Sequence, residues 1–191
     1  KPIFVCLIAV SLAFAANPVQ AEPRVANTTI NMPQSPGPAG TVTYVTEDAF
    51  PGLTFAEGPV HAIAPAGETD RLFVVENGGR ISVIPSLAAP TRQTVLDITP
   101  RVNNISGEGL LGMAFHPQFA TNRYFYTVYA DDRAANGDGD GTLMILSRWT
   151  MQAGNPNAAD ASSELILLSQ VANWQYHNWN DIHFGTDGYL Y

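Results

Sequence analysis

Two imidazoles and a carboxylate, His177, Asp181 and His183, are the side chains of this 191-residue chain best placed for chemistry. A neutral imidazole near its ordinary pKa takes a proton from a hydroxyl at physiological pH, which makes His177 a candidate general base. In extended backbone, positions 177, 181 and 183 share a face because side chains alternate with period two, so a metal site is geometrically open. Two histidines and one aspartate without a supporting motif are thin support for zinc, and the base is the stronger reading. Trp174, Tyr176 and Trp179 surround His177. They form either a sugar-stacking wall or ordinary sheet packing, and both readings stay open.

Two other stretches carry oxygen ligands or a placed carboxylate. Asn136, Asp138 and Asp140, separated by glycines, space their oxygens as the first half of a calcium loop does. Ser147 stands where a bidentate Glu should close that loop, so a solvated hairpin is the favoured reading and the three residues are only weak metal candidates. Glu108 precedes Gly109-Leu110-Leu111-Gly112, a glycine-punctuated strand whose glycines let backbones approach closely. A carboxylate at the head of such a strand is a candidate to face a central cavity. His116, before Pro117, is read as packing its turn.

These residues hang on a phrase that recurs. An apolar strand, a turn rich in Pro, Gly, Asp or Asn, and an aromatic second strand occur at 62–76, at 114–129 and at 182–191. Asp70-Arg71-Leu72-Phe73 in the first copy answers to Asn122-Arg123-Tyr124-Phe125 in the second. Further strands are expected at 80–84 after the Asn77-Gly78-Gly79 hairpin turn, and at 94–98, 143–149 and 164–168. About four short strands per unit is the signature of β-propeller blades, with a solenoid or sandwich as the runner-up. The expected fold is all-β: a β-propeller of four-stranded blades, present as an incomplete fragment of about two to two and a half blades.

Composition narrows the classes. The formal charge is −8 with no Lys/Arg cluster, which argues against nucleic acid or an anionic membrane surface as partner. Sixteen Gly and fourteen Pro suit a turn-rich β protein. At the start, Lys1 precedes an apolar run over 3–16 and the small residues of Val19-Gln20-Ala21, which reads as a signal peptide over 1–21. That run is shorter than the roughly 20 apolar residues a membrane span requires. The expected protein is periplasmic or secreted, with no membrane insertion after cleavage. The lone Cys6 falls inside the leader. A Pro-rich linker with a short strand (41–46) follows over 22–49, and a partial β-propeller over 50–191.

From about residue 50 onward the chain resembles the soluble quinoprotein sugar dehydrogenases that use pyrroloquinoline quinone, with the related sorbosone dehydrogenases and hedgehog-interacting-protein-like propellers. Three motifs in order carry the resemblance. They are Asp70-Arg71-Leu72-Phe73-Val74-Val75-Glu76 with Gly79-Arg80-Ile81, then the strand from Gly109 to His116-Pro117, then His177-Asn178 followed by Asp181-Ile182-His183-Phe184-Gly185-Thr186-Asp187-Gly188. The resemblance implies a six-bladed propeller in the full-length family, with the quinone and Ca2+ held in an axial pocket. It also implies oxidation of a sugar hydroxyl, in which His177 takes the proton while hydride passes to the quinone. Glu108, or Gly107 one place earlier, matches a pocket-lining position. Trp179 and Asn180 replace the Gly-Gly of many relatives, and Tyr176 replaces an Asn or Asp. Trp179, Asn180 and Asp181, with Glu108, are pocket candidates. Most quinone and calcium ligands of the family lie beyond residue 191. The expected partner is a small-molecule sugar, with the electron acceptor unidentified.

Two other functions fit the same residues. One is a non-catalytic propeller that binds glycan or protein. The other is a calcium-dependent lactonase-like hydrolase, for which Glu57, Glu76 and Glu108 are the carboxylates to begin from.

Overall fold

A computed structural model describes residues 46–131, 142–172 and 178–191. The chain divides into two units, Lys1–Thr46 and Glu47–Tyr191, and the architecture described is that of the second. The expected signal peptide, nearly all of the linker, the strand at 41–46 apart from Thr46, the Asn136-Asp138-Asp140 loop and the stretch 173–177 lie outside the described residues.

The first sheet is an antiparallel meander of β1 (Pro59–Ile63), β2 (Leu72–Glu76), β3 (Arg80–Ile84) and β4 (Gln93–Asp97), in the order β1-β2-β3-β4. The second repeats it with β5 (Leu110–Phe115), β6 (Tyr124–Asp131), β7 (Thr142–Gln152) and β8 (Asn155–Ala172). Each is a propeller blade. β5 packs against β1 and β2 while β8 packs against β4, so the two blades lie face to face, inner strand to inner strand. A third hairpin begins at Ile182: Phe184 bridges Leu190, and His183 and Tyr191 exchange backbone hydrogen bonds at 3.0 and 2.8 Å. The recurring phrase of the sequence is thus the first two strands of each blade.

The turns follow from local chemistry. Gly79 closes the β2–β3 hairpin at φ 108°, a conformation that suits glycine because it has no Cβ. Asp187 accepts from the Tyr189 N–H at 3.1 Å in the last turn, and Gly188 supplies φ 84°.

Period-two alternation builds a core on each face of the second blade. Phe73, Val75, Ile81 and Val83 meet Met113, Phe115, Phe125, Tyr129, Ile145 and Trp149 between the blades. On the other face, Ala114, Val128, Ala130 and Met144 receive Ile182, with Trp179, Phe184 and Leu190 packed around them. Two elements differ from expectation. β8 covers Asn155–Ala172, well beyond 164–168, because the long β7 ladder carries it across residues of low β-propensity, with register shifts at Leu146/Ser147, Arg148/Thr150 and Met151/Gln152. The turn after His116 contains a one-turn helix, α1 (Phe119–Asn122), which ends with Arg123 at φ 62°.

Candidate functional site at one end of the blades

The β2–β3 turn, the approach to β5 and the start of β7 meet at one end of the two sheets. Backbone hydrogen bonds tie them: Asn77 N–H donates to the Gly58 carbonyl at 2.7 Å, Leu110 N–H to the Asn77 carbonyl at 2.8 Å, and Ala130 N–H to the Gly109 carbonyl at 2.9 Å. Glu108 sits in the middle of this junction, only 2% exposed. Its carboxylate Oε1 accepts from the Thr142 hydroxyl, and its backbone carbonyl accepts from Asn77 Nδ2 at 2.9 Å. Burial, which penalises the charged form, raises the Glu108 carboxyl above the usual carboxylate range.

The segment that follows His177 reaches the same end. Asn178 Nδ2 donates to the Gly107 carbonyl at 3.4 Å, one residue from Glu108. His177 itself lies outside the described residues, as do Asn136, Asp138 and Asp140 of the calcium-like loop. Trp179 is half-buried and packs against the second core, the cluster that contains Ala114, Val128 and Ile182. Asn180 is exposed, and its backbone carbonyl lies so close to Gly112 that a Cβ there would stand 3.0 Å away. Asp181 and His183 pair at 2.8 Å, both well exposed. His61 on β1 feels the two of them. Burial lowers its pKa below the ordinary value, an effect that Asp181 opposes and His183 reinforces. The fold therefore brings Glu108 and Asn178 together at one end and leaves Asp181 with His183 as a separate exposed pair. Among the described residues, no group of three or more His, Cys, Asp or Glu is arranged to hold a metal ion.

The other carboxylates near this end are engaged. Glu76, fully buried, accepts from Ser82 Oγ at 2.6 Å and Arg92 Nη2 at 2.8 Å. Glu57 and Asp97 flank Arg80 at 3.4 and 2.9 Å. A cation already tied to a neighbouring carboxylate is poorly placed to grip a quinone with acidic groups of its own. At this end the described residues thus present amide and carboxyl groups, and the arginines Arg80 and Arg92 are already paired with carboxylates.

Asn77 and Thr142 are site neighbours that sequence reasoning did not single out. Asn77 is visible in the sequence only as a turn residue, and the partner of Thr142 lies 34 positions away. At the far end of β5, a cavity of about 390 Å³ is lined by Ile63, Phe115, His116, His183 and Phe184 among others. There His116 Nδ1 accepts from the Gln118 N–H at 3.0 Å, which fits its reading as a turn-packing residue.

The fold is shared with known proteins. The aldose sugar dehydrogenase of Streptomyces coelicolor, in its PQQ-bound form, superposes with a TM-score of 0.53 at 22% identity, over 72% of this chain and 37% of that one. A structure described as a glucose dehydrogenase gives 0.57 at 19% identity, over 70% of this chain and 39% of that one. These likenesses establish the propeller fold. In sequence, the Hedgehog-interacting proteins of Mus musculus and Homo sapiens are each 30% identical over 139 residues, 70% of this chain. The chain spans about a fifth of the length of these relatives. The profile of the family described as Glucose / Sorbosone dehydrogenase matches residues 57–191, which include both blades and the third hairpin. The chain belongs to the glucose/sorbosone dehydrogenase family.

Proposed function

We propose that the protein is an exported, quinone-dependent sugar dehydrogenase that oxidises a sugar hydroxyl, with pyrroloquinoline quinone and Ca2+ as cofactors. The observation that carries this reading is the contact of Asn178 with Gly107, which sets the residue after His177 beside buried Glu108 at one end of the blades. In this reading His177 takes the hydroxyl proton, and Glu108 and Asn178 line the pocket wall. Trp179 and Asn180 shape its floor from the packed segment that follows. The quinone supplies a hydride acceptor when bound. Because the chain spans little more than a third of the dehydrogenase structures it resembles, the cations that grip the cofactor are assigned to none of its residues.

The test is reconstitution of the full-length protein with quinone and calcium, followed by dye reduction across a panel of sugars. Loss of a general base costs roughly 10²–10⁴-fold in rate, so His177→Ala should fall by that factor. Unchanged turnover would remove the proposed base.

The identity to Hedgehog-interacting proteins favours one other reading, a propeller that binds glycan or protein without chemistry. Quinone titration of the full-length protein separates the two, since a binding propeller has no need to take up the cofactor.

A further inference from the structure

We propose that Asn77, in the first blade, is a positioning residue for the Glu108 carboxyl in the second. The inference rests on the reading of Glu108 as part of the pocket wall.

Asn77 holds the head of β5 at two points. Its side-chain amide donates to the Glu108 carbonyl at 2.9 Å, and its backbone carbonyl accepts from the Leu110 N–H at 2.8 Å. The peptide units on either side of Gly109 are therefore fixed by one residue of the neighbouring blade. Gly109 makes room for this. At φ 135° it holds a conformation that L side chains rarely adopt, and a Cβ on it would stand 2.0 Å from Asn77 Nδ2. Asn77 is fixed in turn, because its own N–H donates to the Gly58 carbonyl at 2.7 Å and it sits between Glu76 and the two hairpin glycines. A chain of short, oriented bonds thus runs from blade one through Asn77 to the backbone of Glu108, and sets where the carboxyl meets the Thr142 hydroxyl. An ordinary hairpin Asn satisfies its own turn. This amide is spent across the blade boundary, 31 residues away.

The geometry makes a specific coupling. Thr142 donates to the carboxylate, so Thr142→Val should raise the Glu108 titration midpoint, since a bond to the charged form favours that form. When Asn77 no longer holds the Glu108 backbone, the carboxyl leaves the Thr142 hydroxyl and that dependence is lost.

The experiment is a double-mutant cycle in the full-length, cofactor-free protein, reading the Glu108 side-chain carboxyl by 13C NMR across pH. Expected is a clear upward shift on Thr142→Val in the native background and loss of most of that shift in Asn77→Ala. If the Thr142→Val shift survives intact in Asn77→Ala while only the melting temperature falls, Asn77 is a turn residue and the proposal fails. Should Asn77→Ala not fold, Asn77→Asp keeps the size and the backbone bonds and removes the N–H donor. The cycle cancels its added charge, and the same two outcomes decide. Because the measurement is made without cofactor, its result is separate from quinone uptake, on which the pocket reading stands or falls.

Discussion

Glu108 is a carboxyl held in an environment that its type does not prefer. A carboxyl that is 2% exposed, with one hydroxyl donor and a carbonyl already bonded, is penalised as an anion, and its pKa is raised by burial. The native state then holds this proton at pH values where the unfolded chain, titrating near 4.5, has lost it. Stability attributable to the group therefore falls as pH rises from the unfolded value through the folded one. Glu108→Gln should stabilise the protein at neutral pH and give no gain below about pH 4, where both states of the wild type are protonated. Chemical denaturation of both proteins at several pH values checks this, and a gain independent of pH would contradict the assigned cause. Glu164 behaves in the opposite sense. Burial pushes its pKa up, but bonds from Arg101, Tyr129 and Ser147 outweigh that and hold the carboxyl below the usual range. Its contribution is present above the unfolded value and is lost as pH falls through the folded one.

At the scale of elements, the two blades are joined by a shared apolar layer. Phe73 of β2 is fully buried and meets Phe115 of β5 edge to face, with ring centroids 4.9 Å apart. Trp149 of β7 is buried in the same layer, with its indole N–H donating to Thr127 Oγ1 at 2.8 Å. Removing a buried aromatic ring costs about 3–5 kcal/mol, through lost transfer energy and the cavity left behind. Phe73→Ala should therefore destabilise by about that amount, while Val60→Ala on the exposed part of β1 should fall within about 0.5 kcal/mol of wild type. Urea denaturation of both variants makes the comparison, and equal losses would contradict this placement of the core. The short apolar runs of β2, β3 and β6, buried on both faces, announced this layer, and β7 added a period-two alternation of buried and half-buried residues. β8 was less legible, since 155–163 is rich in Asn, Ala, Asp and Ser and is drawn into the sheet by the β7 ladder and not by its own propensity.

At the scale of the whole molecule, β8 is the outer strand of its sheet and carries Leu165, Ile166, Leu167, Leu168 and Val171, each between 43% and 51% exposed. A long strand edge with consecutive apolar residues and no Lys or Pro among them is a template for pairing with another chain. The 191-residue chain on its own should self-associate, and Leu167→Lys should reduce that association several-fold by placing a charge on the edge. Light scattering after size exclusion measures both. A monomer that unfolds cooperatively in the unmodified chain would contradict the expectation. The propeller fold itself was legible from the threefold recurrence of a strand-turn-strand phrase, because each blade repeats the same demand for alternating faces and a tight turn.

What the sequence determined by itself was everything that depends on neighbours along the chain. The alternation of faces, the Asn77-Gly78-Gly79 and Thr186-Asp187-Gly188 turns, the blade repeat and the family all follow from local patterns. The tertiary structure alone decided how residues far apart in number share a site. It turned Glu108 inward against Thr142, set Asn178 on Gly107 and spent the Asn77 amide on the next blade. None of these is written in spacing: the Asn77 and Asn178 bonds depend on how neighbouring blades stack, which their shared apolar layers settle, and the Glu108–Thr142 bond on how the approach to β5 meets the start of β7 within one sheet.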